Sequence, residues 1–229
     1  MFIISRLEKT SLLNNEYYIK CLLFIKPIIP MKTLEQTSEE VKNQILDAAF
    51  ERFSRYGFGK TTMAEIAKDC DMSAGNLYRY YLNKKEIAAD CAGRCMRAAE
   101  DLWREILKQP GLSPSMCLTA IVLEKLHYLH QQFSEHPPLF ELVLYISGER
   151  GDLVSSHMEV LQSLVAEILA AGNRTGDFYV ADVLGTAKVF LAATTKFIAP
   201  HFMGGFELEE LENEAREVVQ LLVLGLAKR

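Results

Sequence analysis

Residues 73–87 read SAGNLYRYYLNKKEI, and the fold turns on this stretch. A serine side chain can accept from a free backbone N–H at a helix start, so Ser73 opens a helix expected over Ala74–Tyr81. Asn83 does the same for a longer helix that begins Lys84-Lys85-Glu86 and is expected to reach about Leu107. At about 100° per residue, Leu77 and Tyr81 share one face of the first helix while Gly75, Asn76 and Arg79 lie opposite. One face packs and the other is free. The free face suits a DNA major groove. An Asn76 amide can pair with adenine, Gly75 permits close approach, and the Tyr78 and Tyr80 hydroxyls can reach phosphates or base edges. From Ser73 to Lys85 the charges are Arg79, Lys84 and Lys85, with no acid.

Upstream, apolar residues at 41, 45, 46, 49, 50 and 53 repeat with the period of an amphipathic helix, expected over Ser38–Tyr56. Thr37-x-x-Glu40 is a capping box for its start, and Gly57 can end it with φ > 0. A second box, Thr62-x-x-Glu65, opens a short helix reaching Asp69 or Cys70. Two short helices joined by a tight turn and braced by a longer one form a helix-turn-helix DNA reader.

Residues 39–90 resemble the TetR family of bacterial transcription regulators. The resemblance lies in Ile45-Leu46-Asp47-Ala48-Ala49, in GFGKTT from Gly57 to Thr62, in Ile66-Ala67 and in SAGNLYRYYLNKKEI. It implies that the helix from Ser73 is the recognition helix, with Ala74, Gly75, Asn76, Tyr78 and Tyr80 at DNA-contacting positions. Thr62 and Lys84 resemble the family's phosphate contacts, and Lys84 stands beside a helix N-terminus that itself favours phosphate. Asp71 departs from the pattern, because the family commonly has glycine in this turn; aspartate tolerates the left-handed region better than most residues.

Beyond Leu107 the stretch Gln109-Pro110-Gly111-Leu112-Ser113-Pro114 reads as a loop. Helices are expected at about Ser115–Ser134, Pro138–Ser147, Leu153–Ala171, Ala181–Ala199 and Leu208–Lys228, with Phe178-Tyr179-Val180 the one strand-like run. The fold class is therefore all-α. A helix-turn-helix domain (38–84) is joined by a long helix, a candidate lever, to a larger helical domain (85–229). The resemblance implies that this second domain dimerises and holds a small inducer. Its final helix, rich in Val218, Val219, Leu221, Leu222, Val223, Leu224 and Leu226, is apolar over more than half its circumference and must be buried against something. A twofold dimer would set two recognition helices about 34–36 Å apart on a near-palindromic operator. A small hydrophobic or aromatic effector would meet Trp103, His127, Tyr128, Phe140, Tyr145, Met158 and Phe190.

The 229 residues carry a net charge of -5, so a basic site for nucleic acid has to be local. The longest run without Asp, Glu, Lys or Arg, Gln109–Leu123, is too short and too broken to span a membrane. Five cysteines without a CxxC pair point to a reducing cytoplasm; Cys91 and Cys95, at i and i+4, are a conceivable redox pair. Residues 1–37 form an extension, weakly basic with five basic and three acidic residues, and Met31 is an alternative translation start. Glu124-x-x-His127 is half of a di-iron motif without its second half, and His127 with His130 could bind a metal. No phosphate loop, nucleophile elbow or zinc-protease helix is present, so the expectation is no catalysis, no cofactor and no metal. The rivals are a regulator controlled by a partner protein or by none, and a helical metal-binding enzyme.

Overall fold

A computed structural model describes residues 37–227. The expected N-terminal arm and the start at Met31 lie outside the described residues. The described residues from Lys42 onward cluster as one compact unit. Ahead of it in the chain, Thr37 and Glu40 exchange the two bonds of the capping box, Thr37 N donating to Glu40 Oε2 at 2.8 Å and Glu40 N to Thr37 Oγ1 at 3.3 Å.

Helix α1 spans Ser38–Tyr56, α2 Met63–Asp69, α3 Ala74–Leu77 and α4 Lys84–Lys108. Polar side chains set these starts. Thr62 and Glu65 close a full capping box, and Ser73 and Asn83 accept from Asn76 N and Glu86 N. Regular α-helix in α3 ends at Leu77, short of the expected Tyr81. The winding continues as a mixture of three- and four-residue bonds, Arg79 N to Asn76 O, Tyr80 N to Leu77 O and Tyr81 N to Leu77 O. Asp71 takes φ 54° in the turn between α2 and α3. Arg52 of α1 ties down α2 through Asp69, and Arg94 of α4 binds Asp47 of α1 at 2.6 Å.

The larger part comprises α5 (Pro114–Glu135), α6 (Leu139–Glu149), α7 (Gly151–Thr175), α8 (Val183–Ala193), α9 (Thr195–Ile198), a 3₁₀ turn at Pro200–Phe202, and α10 (Leu208–Leu226). The expected helix over 181–199 breaks at Thr194, whose hydroxyl bonds back to Phe190 O at 2.9 Å, and Pro200 then stops α9. The strand-like run at Phe178 gives one isolated bridge to Ala227, and no strand forms among the described residues. Helices α5 and α7 hold the centre, carrying Leu118, Ile121, Leu126, Leu161 and Leu169, all almost completely buried. Helix α10 packs on α5 and α8 on α7. By length and composition α7 could cross a membrane. Here it is a core helix, with α4, α5, α6 and α8 packed on it.

Candidate DNA-reading helices and effector cavity

Packing sorts the side chains of α3 and the turns after it. Leu77 and Tyr81 are buried, and the Tyr81 hydroxyl donates to Asp90 Oδ2 at 3.0 Å. Ala74, Gly75 and Arg79 are exposed, Tyr78 is half exposed, and Asn76 and Tyr80 are partly covered. Thr62 is exposed at the start of α2, its hydroxyl engaged with Glu65. The inner and outer faces divide as the periodicity implies, and the outer one offers amide, phenol and bare backbone.

Lys84 is differently engaged from a free phosphate contact. Its ammonium donates to Phe58 O, Gly59 O and Thr61 O at 2.5, 3.2 and 2.7 Å, and it lies 4.5 Å from the centre of the Phe58 ring. An ammonium has three N–H groups, and three carbonyls of the α1–α2 loop take them. The loop is also held from α6. Gly59 N donates to Glu141 Oε2 at 2.8 Å, the Phe58 ring stacks on Tyr145 at 4.6 Å, and Lys85 Nζ lies 5.8 Å from the Tyr145 ring centre. Gly57 has φ 86°, and a Cβ there would stand 2.6 Å from Glu141 Oε2, so this position needs glycine for its backbone and for its neighbour.

Within the helical body lies a cavity of about 240 Å³. Ala92, Cys95 and Met96 of α4, Lys125, Tyr128, Leu129 and Gln132 of α5, and Leu139, Leu142, Val143 and Ile146 of α6 line it, with His157, Met158 and Leu161 of α7. The wall is mainly apolar. Lys125, 6% exposed, makes no hydrogen bond or ion pair among the described residues, and burial pushes its ammonium down to about 8. His157 donates through Nδ1 to Glu100 Oε1 at 2.8 Å, both side chains being buried. Burial and then the Lys125 charge push the His157 imidazole below its ordinary value, against the pull of Glu100.

Of the residues expected to line an effector site, Tyr128 and Met158 do so. Five do not. Trp103 and Phe190 are buried in the main core, and His127 turns to Glu212 of α10 at 3.3 Å. Tyr145 belongs to the α1–α2 loop contact, and Phe140 meets Phe133 and His201 edge-on from outside the cavity wall. Aromatic character is common to core, junction and cavity, so it cannot choose among them. The overlooked residue with a legible signal is Lys125, a charge set within the apolar run Ile121, Val122, Leu126, Leu129. The pairing of Glu100 with His157 joins residues 57 apart and carries no local signal.

Among the described residues no three His, Cys, Asp or Glu side chains converge as a metal site. Cys91 is fully buried, and burial pushes its thiol up, away from the reactive thiolate.

Residues 45–91 match the family model for bacterial regulatory proteins of the tetR family, and residues 114–219 that for the tetracyclin repressor-like C-terminal domain. The chain is 33% identical over 144 residues to the transcriptional regulator UidR of Escherichia coli strain K12, covering 63% of this chain and 70% of UidR. The chain belongs to the TetR family. It is a DNA-binding transcriptional regulator, and the relatives are named as regulators rather than as enzymes. A TetR-family crystal structure from Mesorhizobium loti superposes with a TM-score of 0.68 at 16% identity, covering 85% of this chain and all of that one. Thermus thermophilus FadR, a TetR-family repressor solved with lauroyl-CoA, gives 0.55 at 23% identity, covering 82% and 96%.

For a TetR-family chain the outer faces of α8 and α10 stand out. Leu221 and Leu224 of α10 are about 70% exposed, and Leu184 and Val189 of α8 about 60%. Leu211, Ala215 and Val219 on the other side of α10 are buried. The last helix thus has two apolar stripes, of which the intramolecular core covers one.

Proposed function

We propose that this TetR-family regulator is a dimeric repressor that leaves a palindromic operator when a small effector enters the cavity. Residues 38–84 form the DNA-binding domain and 85–229 the effector-binding and dimerisation domain. Helix α3 enters the major groove, Asn76 and Tyr80 reading base edges with Ala74 and Gly75 at the closest approach, while Tyr78 and Thr62 meet phosphates. The exposed stripes of α8 and α10 meet those of a second copy, fixing the spacing of the two reading heads. The protein acts in the cytoplasm, on double-stranded DNA.

The observation that carries this reading is the double contact of α6. One side of the helix supplies Leu139, Leu142, Val143 and Ile146 to the cavity wall, and the other supplies Glu141 and Tyr145 to the α1–α2 loop of the head. A ligand that displaces α6 therefore displaces the head. The effector needs only to bind better to the conformation with mis-spaced heads; operator affinity then falls by the ratio of its affinities for the two states. The apolar cavity favours this over a regulator without a ligand. At about 240 Å³ it suits a ligand below the usual drug size.

The test is selection of bound duplexes from a random pool at near-physiological salt, followed by sequencing. An enriched palindrome with half-sites one helical turn apart is expected. Absence of enrichment from folded, dimeric protein overturns the operator reading.

A further inference from the structure

We propose that the cavity takes an anionic amphiphile, a carboxylate on an apolar body, with the carboxylate seated on the Lys125 ammonium. This rests on the reading of the cavity as the effector site and names the chemical class it admits.

Lys125 is more than nine-tenths buried, lines the cavity, and has no hydrogen-bond or ion-pair partner among the described residues. A desolvated ammonium without a partner is costly, and the acid nearby is already engaged. Glu100 accepts from His157 at 2.8 Å and lies 3.6 Å from Arg104. Seven residues along α5, on the same face as Lys125, the buried Gln132 also lines the cavity, and its side-chain amide has no partner among the described residues. A bound carboxylate would take charge-assisted bonds from the Lys125 ammonium. The Gln132 amide adds a second polar group to the same cavity wall. The rest of the ligand meets Met96, Leu129, Leu142, Ile146 and Leu161. A hydrophobic cation is excluded by like charge, and a neutral alcohol can accept from the ammonium but forfeits the ion pair.

The experiment is calorimetric titration of the full-length protein at pH 7 with the straight-chain carboxylates from hexanoate to dodecanoate, each against the alcohol of the same length. At the best-fitting length the carboxylate should bind at least tenfold tighter than its alcohol. Lys125→Met, of similar bulk, should abolish that advantage, so that carboxylate and alcohol of the same length bind with equal affinity. Should the variant fail to fold, the wild-type protein supplies the same discrimination, because the advantage should shrink between pH 7 and pH 9.5 as the ammonium loses its proton. Equal affinity for carboxylate and alcohol at pH 7, no carboxylate binding at any length, or an advantage that survives Lys125→Met or stays undiminished at pH 9.5 overturns the proposal. Release of a duplex selected from the random pool is read separately. Carboxylate bound through Lys125 without release refutes the effector reading and leaves the anion site standing; loss of carboxylate preference refutes the anion site whatever the DNA does.

Discussion

Replacing Lys84 by Met separates a structural brace from a phosphate contact. The Lys84 ammonium donates to three loop carbonyls at 2.5–3.2 Å. Hydrogen bonds to a charged group contribute about 1.5–3 kcal/mol each, but this side chain is partly exposed and water can reach the freed carbonyls, so the expected loss is about 2–4 kcal/mol in all. For a chain of this size that lowers the melting temperature by roughly 5–12 °C. Arginine should not restore it, since a planar guanidinium cannot address three carbonyls that converge on one point. The assays are thermal unfolding at fixed protein concentration and operator binding as a function of salt. Removing a phosphate contact lowers the slope of log affinity against log salt by about 0.9 per subunit. A brace leaves the slope unchanged, and affinity falls only through the loosened stretch from Phe58 to Thr62. A variant with wild-type melting temperature and a slope reduced by about 0.9 per subunit refutes the brace and returns Lys84 to the phosphate.

Tyr78→Ala should weaken operator binding tenfold or more with a melting temperature within 2 °C of the wild type, because a half-exposed phenol contributes little packing; fluorescence anisotropy and calorimetry check the pair of outcomes. Leu224→Glu, placed on the exposed stripe of α10, should convert dimer to monomer in sedimentation while the helical circular dichroism persists. Lys125→Met should stabilise the ligand-free protein at pH 7. Its ammonium stands at about 8 instead of 10.5, and at about 1.4 kcal/mol per pH unit the folded state gives up about 3 kcal/mol to keep it charged. The sign follows from linkage: the penalty is complete below pH 8, then fades as pH rises towards 10.5 and both states become neutral. Glu100, His157 and Cys95 are the other ionisable groups near Lys125 and are present in both proteins; in the variant the His157 imidazole is released from the Lys125 charge that helps to hold it down. Urea unfolding at pH 7 and 9.5 should show the gap between variant and wild type narrowing; a destabilised variant at pH 7 contradicts the buried-charge argument.

Features set by neighbours within one turn of chain were legible in the sequence. The capping boxes at Thr37 and Thr62, the caps at Ser73 and Asn83 and the punctuation of Gly57 and residues 109–114 placed most helices to within a few residues. The period of Leu77 and Tyr81 separated the packed face of the reading head from the free one. The break at Thr194 was not legible, because the apolar pattern runs on through it and the hydroxyl that bonds back to Phe190 is an ordinary surface residue by composition. Where the aromatic residues go depends on tertiary packing. Trp103 and Phe190 to the core, Tyr145 to the loop of the head and Tyr128 to the cavity are outcomes of which helices meet, and apolar transfer energy is the same for all of them. It also decided that Lys84 braces a loop 23 to 26 residues upstream, and that Lys125 is a buried cation rather than a snorkelling surface one. A side chain's chemistry is local, whereas its partners and its dielectric surroundings are set by elements distant in sequence.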